Sequence, residues 1–230
     1  MKFIVKLFPE ITIKSKPVRK RFIQRLQSNL QIILRRIEEK ANVSGQWDKV
    51  LVDVPVDSPA KREAIIDALR CTPGGAYFLE VNEHPLGSFH EVFELTRAAY
   101  ADKVAGKSFV VRVKRAGKHD FKSGDLERYV GGGLLQHTDA RTVDLHNPEV
   151  KVQLEVRDQK LYIIENRYNG LGGFPMGSQE GVLSLISGGF DSTVSSYMTL
   201  KRGCKTHYCF FNLGGSAHET GVKQVSYYLW

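Results

Sequence analysis

VLSLISGGFDSTVSSYM, Val182 to Met198, is the stretch on which the reading of this chain turns. Val182 to Ile186 is a short apolar run bounded by a turn, the pattern of a buried strand. Ser187-Gly188-Gly189-Phe190-Asp191-Ser192 then bends tightly into a helical pattern over Thr193 to Leu200. Glycine lets the backbone curl closely around an anion, and a helix N-terminus offers unpaired N–H groups and the positive end of its dipole. The sum is a phosphate cradle at the C-terminal end of a strand, where open α/β sheets bind ligands.

This cradle is not a Walker A loop, because Asp191 stands where that motif requires Lys. SGGFDS instead resembles the PP-loop of the ATP pyrophosphatase family, in which ATP is cleaved between its α and β phosphates and AMP passes to an acceptor. Six matched positions, set between a strand and a helix, separate it from an ordinary Ser/Gly turn.

Downstream, Thr206 to Asn212 reads as a second strand and His218 to Trp230 as a helix. A doubly wound domain typically needs about 100–150 residues. Here one and a half βα units fit in the last 55, and the chain ends on Tyr227-Tyr228-Leu229-Trp230 with no Gly or Pro stop. The expectation is a truncated third domain, 178–230. Upstream, Asn169-Gly170-Leu171-Gly172-Gly173-Phe174-Pro175-Met176-Gly177 is a Gly-rich linker, set at 166–177.

The N-terminal part alternates strand and helix patterns. Residues 2–8 alternate as a strand, and Ser15 with Pro17 opens a long helix. Val18, Phe22, Leu26, Leu30, Ile33, Leu34 and Ile37 make its apolar stripe. Val43 to Trp47 and Lys49 to Val56 read as strands, Pro59 to Leu69 as a helix and Ala76 to Val81 as a strand. The order βαββαβ is ferredoxin-like, and the first domain is placed at 1–60. Ile11 to Ile37 holds eight bases and no acid: Lys14, Lys16, Arg19, Lys20, Arg21, Arg25, Arg35 and Arg36. Such uncompensated charge points to phosphate contacts.

A second α/β unit follows, with a helix over Phe89 to Val104, a strand over Ser108 to Val113 and a helix capped by Ser123. Val143 to Leu145, Lys151 to Val156 and Lys160 to Ile164 read as strands, the last two joined at Arg157-Asp158-Gln159. Arg112, Lys114, Arg115 and Lys118, with His119, crowd the end of the first strand and its turn. Arg112 and Lys114 project from one face, opposite Val111 and Val113. Phe121 and Tyr129 are candidates for stacking on unpaired bases. Gly131-Gly132-Gly133 reads as a phosphate approach or a helix-terminating hinge.

Composition agrees. With 42% hydrophobic and 25% charged residues, this is an ordinary globular chain. Lys6 breaks the N-terminal apolar run, so no signal peptide is read, and no run is long enough to span a membrane. Cys71, Cys204 and Cys209 form no CxxC pair, which argues for reduced thiols in a cytoplasm. The thiols at 204 and 209 read as buried core, and no His spacing suggests a metal site. The net charge of +8 is concentrated in residues 1–60, with twelve Lys/Arg against six Asp/Glu. A polyanion partner is expected there.

Taken in order, the ferredoxin-like start, RVKRAGKHDF, ERYVGGG, GLGGFPMG and SGGFDS resemble the tRNA 4-thiouridine synthetase (ThiI) family, with 61–165 similar to its THUMP RNA-binding domain. The fold class that follows is α/β: α+β ferredoxin-like and THUMP domains, then the start of a doubly wound domain. The resemblance implies ATP-dependent adenylylation of a tRNA uridine and replacement of its C4 oxygen by sulfur, with thiazole synthesis for thiamine as a second use of that sulfur. It implies ATP and Mg²⁺ as cofactors, the tRNA acceptor end as partner, and a cysteine desulfurase as persulfide donor. A homodimer is left open. Ser187, Gly188, Gly189, Asp191 and Ser192 match the pyrophosphate loop, and Leu183 and Ser184 match positions near the nucleotide. The RNA-facing set is Lys14, Lys16, Arg19, Lys20, Arg21, Arg25, Arg112, Lys114, Arg115, Lys118, His119, Phe121 and Tyr129. The family's reactive cysteines match nothing here, so the competing reading is a non-catalytic RNA-binding protein using residues 1–175.

Overall fold

The computed structural model describes residues 1–229; Trp230, the final position of the expected C-terminal helix, lies outside the described residues. The chain divides into two compact units. A central unit holds Met1–Lys2 and Leu79–Arg167, and a terminal unit holds Phe3–Phe78 and Tyr168–Trp230.

The terminal unit begins with β1 (Lys2–Leu7), α1 (Pro9–Thr12), α2 (Lys16–Arg35), β2 (Asn42–Gly45), β3 (Lys49–Asp53), α3 (Pro59–Cys71) and the first residues of β4 (Gly75–Pro85). Its strands lie in the order β2-β3-β1-β4, the arrangement that interleaved split βαβ units produce. The ferredoxin-like reading holds. The one-turn α1 has no counterpart in the sequence reading, because four residues carry no measurable period. Phe22, Leu26, Leu30 and Leu34 form the buried stripe of α2 as expected. Ser15 does precede α2 but caps it through its carbonyl alone, which accepts Arg19 N–H at 2.9 Å. By contrast, Ser58 caps α3 with its side chain, accepting Lys61 N–H at 3.3 Å.

The Gly-rich stretch before the cradle is fastened on both sides. Gly74 N–H donates to Gly172 O and Gly172 N–H to Gly75 O, each at 2.8 Å. Phe174 packs against Phe22, with ring centroids 5.3 Å apart, and its N–H reaches Lys201 O at 2.9 Å. Gly173 has φ +71°, and a Cβ there would run into the Lys201 carbonyl, so only glycine fits. Beyond it come β9 (Val182–Leu185), α6 (Phe190–Lys201), β10 (Thr206–Cys209) and α7 (Gly215–Leu229). β9 and β10 pair in parallel from Thr206↔Val182 to Cys209↔Leu185.

The expectation that Val182 to Ile186 is a buried strand is corrected: the strand forms, but half of it is exposed. Ser184 bonds Ser196 of α6 and Ile186 is buried, whereas Leu183 and Leu185 are 67% and 63% exposed. The helices cover one face of this two-stranded sheet, and no element among the described residues covers the other. Cys204 and Cys209 are half-buried rather than core.

The central unit contains α4 (Phe89–Val104), β5 (Ser108–Ala116), α5 (Ser123–His137), β6 (Thr142–Val143), β7 (Val150–Arg157) and β8 (Lys160–Asn169), in strand order β4-β8-β7-β5-β6. β5 runs parallel to β7 and to the two-residue β6, while β7 and β8 form an antiparallel hairpin turning at Asp158, φ 50°. Val111 and Val113 join Val92, Phe93, Leu126 and Val130 in one core. Ser88 and Glu91 close a reciprocal capping box on α4, with Ser88 N–H to Glu91 Oε2 at 2.7 Å and Glu91 N–H to Ser88 Oγ at 3.3 Å.

Two expectations in this unit are corrected. Lys122, not Ser123, is the N-cap of α5, and Asp125 reaches back to accept its N–H at 3.0 Å. Gly131 to Gly133 neither end a helix nor form a loop; they lie inside α5. A Cβ at Gly133 would come within 2.6 Å of the Phe93 ring, so glycine there lets α5 approach α4.

Candidate functional site

The cradle forms where β9 ends and α6 begins. Ser187 and Ser192 tie it into a small ring. Ser192 Oγ accepts Ser187 N–H at 3.2 Å, lies 3.2 Å from Ser187 Oγ and donates to Gly189 O at 3.1 Å. Thr193 Oγ1 also donates to Gly189 O, at 2.8 Å. Gly189 is the N-cap, so the N–H groups of Phe190, Asp191 and Ser192 have no acceptor within the helix. They open on an exposed loop. Gly188 has φ +84°, and a Cβ there would meet Val222 Cγ2 of α7 at 3.0 Å. The loop is thus shaped by one left-handed glycine packed on a neighbouring helix.

His218 of α7, a residue the sequence reading did not single out, lies 2.9 Å through Nε2 from Ser187 O and stands edge-on to Phe210 at 5.0 Å. Its 31-residue distance from Ser187 hides it from any local motif.

Ser187, Gly188, Gly189, Asp191 and Ser192 are therefore neighbours around one helix N-terminus. Asp191 is exposed in the first turn of α6. Leu183 and Ser184 lie one strand-length away. Leu183 is on the open sheet face, and Ser184 Oγ is committed to Ser196 Oγ at 2.7 Å. A nucleotide contact at Ser184 would fall to its backbone.

The basic candidates fall in both units. On α2 of the terminal unit, the i, i+3, i+4 spacing brings Lys16, Arg19 and Lys20 together, with Arg21 and Arg25 on another flank. Lys14, just before α2, sits 5.6 Å from the Phe174 ring centroid. In the central unit, Arg112 and Lys114 are exposed on β5 and alternate with buried Val111 and Val113. Arg112 Nη2 donates to Leu145 O at 3.1 Å. Arg115 donates to His119 O at 3.2 Å, and His119 Nε2 lies 2.7 Å from Asp158 O, so these residues and exposed Lys118 form one hairpin-end cluster.

Phe121 is half-buried, packed edge-on to Phe89 at 5.0 Å, whereas Tyr129 is 45% exposed on the same aromatic group. Beside them Arg112, Lys122, Arg128, Gly131, Gly132 and Leu145 line an open cavity of about 560 Å³. Lys122 and Arg128 escaped the sequence reading because only the packing of α5 along β5 brings them to Arg112. Asp125 at the mouth of this cavity is held below the usual carboxylate range, first by the Lys122 N–H and then by Arg128.

Comparison with known proteins fits these features. Residues 2–78 match the ThiI ferredoxin-like domain, 87–164 the THUMP domain, and 177–230 the thiamine biosynthesis protein (ThiI) family. A tRNA sulfurtransferase of Shewanella piezotolerans is 58% identical over the whole chain, which covers 48% of that protein. The chain spans about half the length of the curated relatives it matches. A crystal structure of a 4-thiouridine synthetase in complex with RNA and ATP superposes with TM-score 0.80 at 26% identity, over 97% of this chain and 56% of that one. The crystal structure of a Pyrococcus horikoshii protein superposes with TM-score 0.82 at 20% identity over 100% of this chain and 74% of that one, a likeness of fold. No helix is long and apolar enough to cross a membrane among the described residues. With three domain matches in order along the chain, two of them to ThiI models, and similarity throughout to the N-terminal part of proteins named tRNA sulfurtransferase, the chain belongs to the ThiI family.

Proposed function

We propose that this protein is an ATP-dependent tRNA sulfurtransferase that adenylylates a tRNA uridine and replaces its C4 oxygen with sulfur. The observation that carries the reading is the Ser187–Ser192 cradle, built as a phosphate site, in a chain 58% identical throughout to a tRNA sulfurtransferase. In this reading the ferredoxin-like domain opens the chain, the THUMP domain that follows takes the tRNA acceptor end, and the Gly-rich linker leads into 178–230, part of the PP-loop domain. The transferred sulfur arrives as a persulfide from a cysteine desulfurase in the cytoplasm and also serves thiazole formation for thiamine.

The cradle fits a pyrophosphate group. Its glycines leave the backbone bare, the N–H groups of residues 190–192 have no acceptor within α6, and two serine hydroxyls stand 3.2 Å apart in the same loop. ATP supplies the adenylyl group that turns the uridine oxygen into a leaving group. The N–H groups of Phe190, Asp191 and Ser192 would stabilise negative charge on the departing pyrophosphate. The hydroxyls of Ser187 and Ser192 would hold its oxygens, and Asp191 would share a Mg²⁺ with them as a hard oxygen ligand. The His218 ring fixes the Ser187 carbonyl and so the entry to the loop.

The test has two arms. Full-length protein given unmodified tRNA, ATP, Mg²⁺ and a persulfide donor is expected to form 4-thiouridine, and Ser192→Ala to lower the rate. In parallel, tRNA with an intact 3′ end should bind better than tRNA lacking its CCA at one fixed salt. Absence of ATP-dependent sulfur incorporation would overturn the reading.

A further inference from the structure

The terminal unit carries a second cavity, of about 640 Å³, distant in sequence from the cradle and lined by Lys16, Lys20, Ile23, Gln27, Gly45 and Trp47, among others. Its construction is mixed. Ile23, a buried residue, forms an apolar floor, and the Trp47 indole, 55% exposed, forms a wall. Lys16 and Lys20, both exposed on adjacent turns of α2, form a cationic rim. Arg19 is not part of the lining; its guanidinium sits 4.3 Å from the Trp47 ring centroid and donates to Thr12 O at 3.2 Å. The ring is therefore held in place by a stacked cation while still presenting surface to the cavity. Gln27 is anchored by its Nε2–H to Val43 O at 3.0 Å, which leaves its carbonyl oxygen as an acceptor.

An exposed indole normally finds cover, and the chemistry around this one selects the cover. Ile11 to Ile37 supplies eight bases and no acid, which favours a polyanion. A flat aromatic wall beside two ammonium groups suits a planar base joined to phosphates. We infer that an unpaired nucleotide of the bound RNA lodges here, its base stacked on Trp47 and its flanking phosphates on Lys16 and Lys20. This rests on the RNA-binding part of the function proposed above, and adds a stacking position in the ferredoxin-like region to the phosphate contacts expected there.

The experiment compares Trp47→Ala and Trp47→Phe with the parent chain at one salt concentration, using tRNA and a fully paired RNA duplex as ligands. Loss of one base stack lowers affinity roughly 5- to 150-fold. Trp47→Ala should show such a loss for tRNA but bind the duplex like the parent, and Trp47→Phe should recover most of it. A second readout does not depend on removing the side chain. The chain has two tryptophans, Trp47 and Trp230, so in Trp230→Phe the emission reports Trp47 alone. Quenching by tRNA and not by duplex supports the inference. Parent-like tRNA affinity of Trp47→Ala, or unquenched emission while tRNA binds, overturns it and leaves the sulfurtransferase reading standing. Failure of the parent to bind tRNA would overturn both.

Discussion

Gly188→Ala is the most direct probe of the cradle. Its φ of +84° is left-handed, and a Cβ would lie 3.0 Å from Cγ2 of Val222, itself 3% exposed. An L-residue in that conformation costs roughly 1–2 kcal/mol. Pressing a methyl group onto a buried, rotamer-locked valine adds about 1–2 kcal/mol, the low end for overpacking, because a few tenths of an ångström relieve the contact. If the loop keeps its shape, folding bears about 2–4 kcal/mol. If it relaxes instead, restoring the binding shape draws the same sum from ATP affinity, a loss of roughly 30- to 700-fold. Calorimetric titration of Mg²⁺ and ATP, paired with thermal melts, separates the two. Gly221→Ala on α7 is the control. Nothing lies within 4 Å of its Cβ position, so alanine should leave binding unchanged and raise stability slightly, by about 0.5–1 kcal/mol. Unchanged affinity together with unchanged melting in Gly188→Ala would refute this account of the loop.

Other consequences follow from the same geometry. Gly133→Ala should destabilise the central unit by about 1–3 kcal/mol through the Phe93 ring, whereas Gly132→Ala, with open space at its Cβ, should not; urea titration reads both. Glu149 accepts Ser108 N–H at 2.8 Å and Ser108 Oγ–H at 3.0 Å, and the backbone bond foremost holds its carboxyl below 4.5. Its folded value lies under its unfolded one, so its contribution is present above about pH 4.5 and fades as pH falls through the folded value. Glu149→Gln should therefore flatten the decline of the urea midpoint below that pH. With roughly six to eight phosphate contacts, log affinity for tRNA should fall against log salt with a slope of about −5 to −7. Arg112→Ala or Lys114→Ala should each reduce that slope by about 1 at unchanged melting temperature. A flat salt response would contradict the phosphate footprint.

Local chemistry made much of this protein legible without coordinates. SGGFDS between an apolar run and a helical pattern marks the cradle, because a tight glycine turn, a helix N-terminus and two hydroxyls all lie within six residues. The βαββαβ order and the stripe of Phe22, Leu26, Leu30 and Leu34 are equally local, since one period fixes one face. Arg112 and Lys114 stand out on an alternating strand for the same reason.

What the sequence left undecided depends on partners far along the chain. The single-turn α1 has no period to read. Gly131 to Gly133 look like a hinge until Phe93, forty residues earlier in Gly133's case, explains the close helix contact. His218 reaches Ser187 across 31 residues, and Trp47 meets Arg19 across 28, so no spacing rule could join either pair. Leu183 and Leu185 read as core because hydrophobicity records what a strand can bury, not which neighbour arrives to cover it. The residues chose their own turns, caps and faces; the tertiary structure chose which faces meet, because contact between distant segments is settled by packing and not by any local preference.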